Sequence, residues 1–486
     1  MITYMSRVKL REACERTGLH ADTGVSRSVQ TPYWNAACQA ISAQLWLPTA
    51  TDWRGAALTS SNGLSSWFSS KLLMPAQPTN FYKTCSPFLA SLLPEGTDSL
   101  NSVTRSRKIR LYPRAEQRAI FRRWLGTARF VYNRTLEYLK TLTDQRPSWM
   151  AIATNVILPA LPEWAAAIPF QIKKMAVKDA CDAYTAAKLK YKRTGELSAL
   201  RYKSRKAPRQ TCFIPKTAVK PQGIYYTASG HLHYGEALPE ARLDCELSYQ
   251  QGRWYVCVPF KTAVQQGENQ ARIVALDPGI RTFITFFSPD RAGVLGQHDF
   301  GRLVRLCHYL DDLISRRCRS QDKKQRYRMK KAENRLRWKI KDLRDELHAK
   351  VARFLVDTFD FILIPTFETS QMSKRASRKL RAKSVRAMLT WAHFTFKERL
   401  KMVAAQGGKL VIEVNEAYTS KTCSWSGEIV NIGSRESIRG SDGIQMHRDV
   451  NGARGIFLRA LAELPCLESL QTALVNNADG MSAFSS

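Results

Sequence analysis

Between Lys108 and Tyr112 apolar and polar positions alternate and then stop at Pro113, which predicts a short strand ending in a turn. Ile120, Trp124, Ala128 and Val131 follow at helical spacing, with Arg118, Arg122, Arg123 and Arg129 on the opposite face. A second helical run passes through Ile172, Ala176, Ala180 and Tyr184 and ends in a basic stretch from Lys188 to Lys206. Over residues 210 to 262 the period changes to two: Leu243, Cys245, Leu247 and Tyr249 alternate with polar positions, Gln251-Gly252 turns the chain, and Trp254 to Val258 returns. That pattern predicts antiparallel sheet, read here as a small barrel that residues 108 to 112 complete, with the two helices inserted after its first strand.

Further on, strands alternate with long helices. Strands are predicted at 273 to 277, 282 to 287, 361 to 364 and 409 to 414, with a basic amphipathic helix carrying Leu336, Ile340, Leu343, Leu347 and Phe354 between the second and third. This is a mixed α/β layer. Residues 1 to 104 are rich in Ser, Thr and Pro. Their aromatics, Trp34, Trp46, Trp53, Trp67 and Phe68, predict short helices joined by flexible linkers, without assigned chemistry.

Charge narrows the partners. Lys and Arg number 75 against 41 Asp and Glu, a net charge of +34, and residues 1 to 100 hold only 8 basic and 6 acidic side chains. The positive excess therefore belongs to the body of the chain and predicts a polyanion, foremost nucleic acid. No zinc-finger spacing, basic leucine zipper or RRM aromatic signature accompanies it, so the charge is read as a grip on backbone. Eleven cysteines occur without a C-x-x-C pair, and no signal-peptide pattern is present; both point to a reducing, intracellular setting. No apolar run reaches the roughly 20 residues of a membrane span.

Two acids stand out. Asp277 ends the apolar run Val274-Ala275-Leu276 just before Pro278-Gly279, and Asp449 lies in His447-Arg448-Asp449-Val450-Asn451-Gly452, where a helix opens. Each has a plain structural reading, as turn former and as helix N-cap. A carboxylate at the end of an apolar stretch also suits a metal or ligand.

The stretch Val274 to Phe283, the run Tyr418-Thr419-Ser420-Lys421-Thr422-Cys423 and the block His447 to Ile456 resemble segments of the split RuvC nuclease domain of TnpB proteins, and more closely still of Fanzor proteins, their eukaryotic and viral relatives. The likeness runs from about residue 106 to 463 and includes Arg110-Leu111-Tyr112-Pro113, Tyr132-Asn133 and Pro365 to Ser370. It implies a transposon-derived, RNA-guided DNA endonuclease with a wedge-type barrel at 105 to 114 and 205 to 265, a helical recognition insertion at 115 to 204, and an RNase H-like RuvC domain at 271 to 419 and 447 to 463. Residues 420 to 446 correspond to a zinc-ribbon insertion and 464 to 486 to a flexible tail. Guide RNA and target DNA are the implied partners, two Mg²⁺ ions the cofactor, and a monomer the expected state. The location is the nucleus in a eukaryotic host, otherwise the cytoplasm.

The same likeness exposes two departures. Where TnpB has the glutamate that ends its second segment, this chain has Pro365, so the third acid must come from elsewhere. Glu416, on the face of 410, 412 and 414 by period two, is favoured over Glu368; Glu413 is expected to face the other way. The candidate catalytic and metal-binding set is thus Asp277, Glu416 and Asp449. In the ribbon the four zinc positions read Cys423, Ser426, Arg439 and Asp442; with one thiol left, no zinc is expected and the segment is expected to be a loosely ordered loop. Nucleic-acid contacts are expected from Arg110, Arg122, Arg123, Lys323, Lys324, Arg326, Arg328, Lys330, Lys331, Lys374, Arg375 and Arg448, with a nuclear-localisation patch a competing reading of 323 to 331. Two other functions fit the residues less fully: a catalytically inactive RNA-bound DNA-binding protein, and a DNA-joining transposase.

Overall fold

The computed structural model describes residues 34–48, 70–74, 81–82, 89, 102–142, 147–264, 270–297, 299–366, 382–433 and 435–463. Near the start lie helix α1 (Ala36–Ala43), capped by the Asn35 side chain, and the three-residue strand β1 (Lys71–Leu73). The chain then divides into two compact units, one of residues 102 to 262 and one of everything else.

In the first unit, strand β2 (Ser102–Leu111) leads into helices α2 (Ala115–Thr141) and α3 (Phe170–Thr194), followed by strands β3 (Arg209–Ile214), β4 (Cys245–Gln250) and β5 (Arg253–Ala263). The helices form where apolar spacing was read: Trp124, Ala128 and Val131 of α2 and Ile172, Ala176 and Ala180 of α3 are buried. Arg129, expected on the polar face, is half-buried and donates to Gln210. The sheet order is β2-β5-β4-β3, with Gln251 and Gly252 both at positive φ in the β4–β5 turn. Among the described residues it is an open four-stranded sheet with β2 and β3 at its edges, where a closed barrel was expected. Both helices share its core through Cys212, Ile214, Leu247 and Val256.

The second unit is built on a six-stranded sheet. Its strands are β1, β6 (Ile273–Pro278), β7 (Ile284–Phe287), β8 (Ala292–Leu295), β9 (Phe361–Pro365) and β10 (Leu410–Val414), in the order β1-β8-β7-β6-β9-β10. Strands β6, β9 and β10 are parallel; the rest alternate. Between β8 and β9 run helices α4 (Phe300–Arg319) and α5 (Lys323–Thr358); between β9 and β10 run α6 (Ala382–Trp391) and α7 (His393–Gln406). A hairpin of β11 (Ser437–Arg439) and β12 (Gln445–His447) precedes the last helix, α8 (Arg448–Glu463).

The central strands are buried on both faces, which accounts for their unbroken apolar runs. On one face α8 lies over Ile273, Ala275, Phe361, Leu363, Ile412 and Val414; on the other, α5 and α7 cover Val274, Leu276, Ile362 and Ile364. In α5 the buried apolar positions are Trp338, Leu347, Val351, Ala352, Leu355 and Val356, whereas Leu336, Ile340, Leu343 and Phe354 of the expected stripe are only half-buried. The helix packs against α4 over one part and against α7 and the sheet over another, so no single stripe describes it.

Residues 1 to 104, expected to be short helices joined by flexible linkers, also contribute to the second unit's sheet and core. Strand β1 completes the sheet by pairing with β8, and Ile41 and Leu45 of the α1 region enter the core under α8. Trp46 stacks on Phe287 and donates to the Ser288 carbonyl. Trp53, Trp67, Phe68 and the tail from 464 lie outside the described residues.

Candidate functional site

Strand parity places the acids. Ile273 and Ala275 of β6 point to the α8 face, so Asp277, two residues on, points there too. On β10 the same face carries Ile412 and Val414, and Glu416 lies two residues further. Glu413 points the other way, where Lys397 and Lys401 of α7 hold it, as its parity predicted. Asp449 sits in the first turn of α8, above this face. All three acids gather at the carboxyl ends of the parallel strands β6 and β10, the usual place for a site in an open α/β sheet.

Central strand β9 offers Pro365 in register with Val414 and, continuing its pairing with β6, level with Asp277. The strand between the two acid-bearing strands therefore brings no carboxylate at that level. Glu368, Lys374 and Arg375 lie outside the described residues.

Asp277 is the most perturbed of the acids. Desolvation, then the charges of Asp449 and Glu416, hold its carboxyl well above the usual carboxylate range, against a smaller opposing effect of Arg448. Among the described residues its carboxylate takes no hydrogen bond from the turn that follows, so it does not act as the turn former that Pro278-Gly279 suggested. Asp449 likewise lies inside the helix and not at its N-cap: its own N–H donates to His447 Nδ1 (3.3 Å). Burial also pushes the Glu416 carboxyl upward. No three acidic, histidine or cysteine side chains among the described residues converge tightly enough to cage a cation. Asp277 and Asp449 instead face a cleft, with the Glu416 charge close enough to act on Asp277.

That cleft, of about 870 Å³, is lined by Asp277, Asp449 and His447, by Arg281, Arg435 and Arg448, and on its apolar side by Ile280, Phe300, Val304 and Met388. Arg448 Nε lies 4.0 Å from Asp449 Oδ1, and Arg281 pairs with Glu436 at 2.8 Å. The second is an exposed pair, which a phosphate can displace at little cost.

Several residues that hold the acids were not singled out from sequence. Asn451 is fully buried; it donates to the Thr419 and Thr422 carbonyls (3.4 and 2.8 Å) and accepts from Ser424 N–H (2.9 Å), tying α8 to the turn after Glu416. Thr419 bonds the Glu416 carbonyl through its hydroxyl (2.8 Å). Behind Asp277, His393 Nε2 donates to the Gly279 carbonyl (3.0 Å) and Trp391 Nε1 to that of Ile280 (3.0 Å). Phe283 is stacked between His393 and His348, with centroids at 5.1 and 5.2 Å. Burial lowers both imidazoles, His348 to about 3 and His393 to about 4, so each ring is neutral and donates through Nε2. A lone histidine in an apolar context gives no sequence signal that would separate these roles from ordinary core packing.

The expected nucleic-acid contacts divide. Arg122, Arg123, Lys323, Lys324, Arg326, Arg328 and Lys331 are exposed. Lys330 instead joins Arg317 and Arg337 around the buried Glu333 carboxylate, which pins α4 to α5. Arg110 is half-buried, its guanidinium over the rings of Tyr255 and Tyr112 at 5.1 and 5.7 Å.

Residues 393–456 match the family described as Cas12f1-like, TNB domain, and residues 101–146 match the helix-turn-helix domain of the IS605 OrfB type. Here the second span holds β2 and the helix α2. Protein A625R of Paramecium bursaria Chlorella virus 1, provisionally named a transposase, is 26% identical over 79% of this chain and 95% of its own length. TnpB-like protein L770 of Acanthamoeba polyphaga mimivirus is 24% identical over 72% of each chain. InsQ of Escherichia coli (strain K12), provisionally named an RNA-guided DNA endonuclease, is 26% identical over 75% of this chain and 94% of its own. Among solved structures, a Cas12f1–sgRNA–target DNA complex aligns with 73% of the chain at 13% identity and a TM-score of 0.46.

Proposed function

We propose that this chain, similar over most of its length to TnpB-like proteins and to a protein provisionally named an RNA-guided DNA endonuclease, is itself an RNA-guided, Mg²⁺-dependent DNA endonuclease whose cutting centre is Asp277, Glu416 and Asp449. In this reading the six-stranded sheet is the RNase H-like RuvC domain, and the sheet-and-helix unit of residues 102 to 262 is the wedge and recognition part. The observation that carries the proposal is the parity of Asp277 and Glu416, which share the sheet face that α8 covers with Asp449.

The donor chemistry, without a preformed cage among the described residues, suits a divalent cation. Hard carboxylate oxygens are the donors Mg²⁺ takes, and Asp277 is raised by two like charges that a cation would offset. Asp277, Glu416 and Asp449 would hold it, and when bound it would activate water and neutralise the leaving oxygen. The chain's own groups prepare that step. Arg281, Arg435 and Arg448 draw the backbone phosphate into the cleft, and Arg448 favours the ionised form of Asp277. Asn451 and Thr419 fix the turn that presents Glu416, while His393 and Trp391 fix the turn behind Asp277. Base pairing to a guide RNA supplies sequence choice, which leaves the basic surface to hold backbone.

Pro365 favours one alternative, a guide-RNA-bound protein that grips DNA without cutting it. Purification with RNA transcribed from the flank of the gene, then incubation with a randomised-flank plasmid library in Mg²⁺, separates the two. Cutting at guide-matched sites is expected; guide-dependent binding without cutting would support the inactive clamp.

A further inference from the structure

Residues 420 to 446 are expected to be a loose loop, yet the described residues among them form an ordered double turn. Thr422 pairs with Ile429, Cys423 N–H donates to the Glu428 carbonyl (2.8 Å), and β11 pairs with β12. Two bonds join the halves. Trp425 Nε1 donates to Asp442 Oδ2 (2.7 Å), and Ser441 N–H donates to Glu428 Oε2 (2.8 Å). Gly440 packs so closely here that a Cβ would lie 2.7 Å from Asp442 Oδ1 and 3.2 Å from the Trp425 ring.

The donor chemistry at the former ligand positions does not suit zinc. Cys423 is fully buried and is the one thiol left where a four-coordinate zinc site needs a full ligand set. Ser426 offers a hydroxyl, Arg439 is an exposed cation, and the Asp442 carboxylate accepts from Trp425 Nε1 and from Ile444 N–H.

A second support comes from the far end of the chain. The Trp34 indole lies against Gly427, where no Cβ fits. Ser42 Oγ donates to the Ser424 carbonyl (3.0 Å), and buried Arg454 bridges the Ser42 and Ser424 carbonyls.

We propose that this segment is a metal-free clasp on the cleft, closed by Trp425 on Asp442 and backed by the chain around Trp34 and Ser42, in place of a zinc ion. The clasp carries Arg435, Glu436 and His447 to the cleft wall, so its closure positions that wall. The inference is independent of whether the protein cuts DNA, and its test uses no nuclease assay. Limited trypsin digestion of the full chain, read by mass spectrometry at the exposed Arg435 and Arg439, reports opening of the clasp. Asp442→Ala and Trp425→Phe are each expected to speed cutting there about three- to tenfold, the effect of a lost hydrogen bond to a partly solvated carboxylate. Asp442→Asn, which keeps an oxygen acceptor, should stay near wild type. Gly427→Ala, which displaces Trp34, should act like Asp442→Ala. Wild type should hold well under one zinc per chain by atomic absorption and be unaffected by 1,10-phenanthroline. Stoichiometric zinc, chelator-induced cutting at these arginines, or unchanged digestion of Asp442→Ala would overturn the proposal.

Discussion

Gly452 lies directly over Asp277: a Cβ built on Gly452 would stand 2.5 Å from Asp277 Oδ2. Helix α8 can bring Asp449 down to the strand only because its next turn begins with no side chain. Gly452→Ala must therefore displace the Asp277 carboxylate, which is the free end of a side chain and can move. The fold should survive with a change of about 1 kcal/mol, while guide-directed cleavage falls about 100-fold, the effect of a small misplacement at a reacting centre. Thermal melts beside cleavage rates check both halves.

Asp277 should cost stability where it serves function. Its carboxyl is raised, so the folded state holds its proton at pH values where the unfolded chain has released it. Stability from this group is present at low pH and lost as pH rises through the raised value. Asp277→Asn should melt several degrees higher than wild type in EDTA at pH 8, with the gap closing towards pH 4. Mg²⁺ should raise the wild-type midpoint and leave that of Asp277→Asn nearly unchanged. Differential scanning fluorimetry across pH and Mg²⁺ measures this.

The histidines around Phe283 carry the opposite sign. With folded values near 3 for His348 and 4 for His393, the unfolded chain takes up protons first as pH falls below about 6.5. Each ring should therefore remove about 2 kcal/mol by pH 5. His393→Gln keeps an N–H donor for the Gly279 carbonyl and should flatten the decline in melting temperature between pH 6.5 and 5 relative to wild type.

What was legible from sequence is what periodicity records. The parity of Ile412, Val414 and Glu416 could be counted, and the apolar run before Asp277 marked a buried strand. The helices α2 and α3 followed from their spacing. Strand β1 could not be found in this way: Lys71, Leu72 and Leu73 are too few for a period, and their partners, Ala292 to Val294, are more than 200 positions away. The roles of Asn451 and His393 depend on one carbonyl or two reached across the fold, and such contacts leave no trace in local pattern. The order of the described residues between 420 and 446 was missed for a related reason. The loss of thiols was visible, but the Trp425–Asp442 bond that joins the same two turns was not.

The central claim is that Glu416 completes the centre that Pro365 leaves short of an acid. Its direct test is the cleavage rate of the guide-loaded protein carrying Glu416→Gln, with Asp277→Asn as the reference for a dead site and binding of matched DNA measured in parallel. The account predicts that Glu416→Gln cuts at least about 1000-fold more slowly than wild type, as Asp277→Asn does, with binding unchanged. Cutting within tenfold of wild type by Glu416→Gln would contradict it.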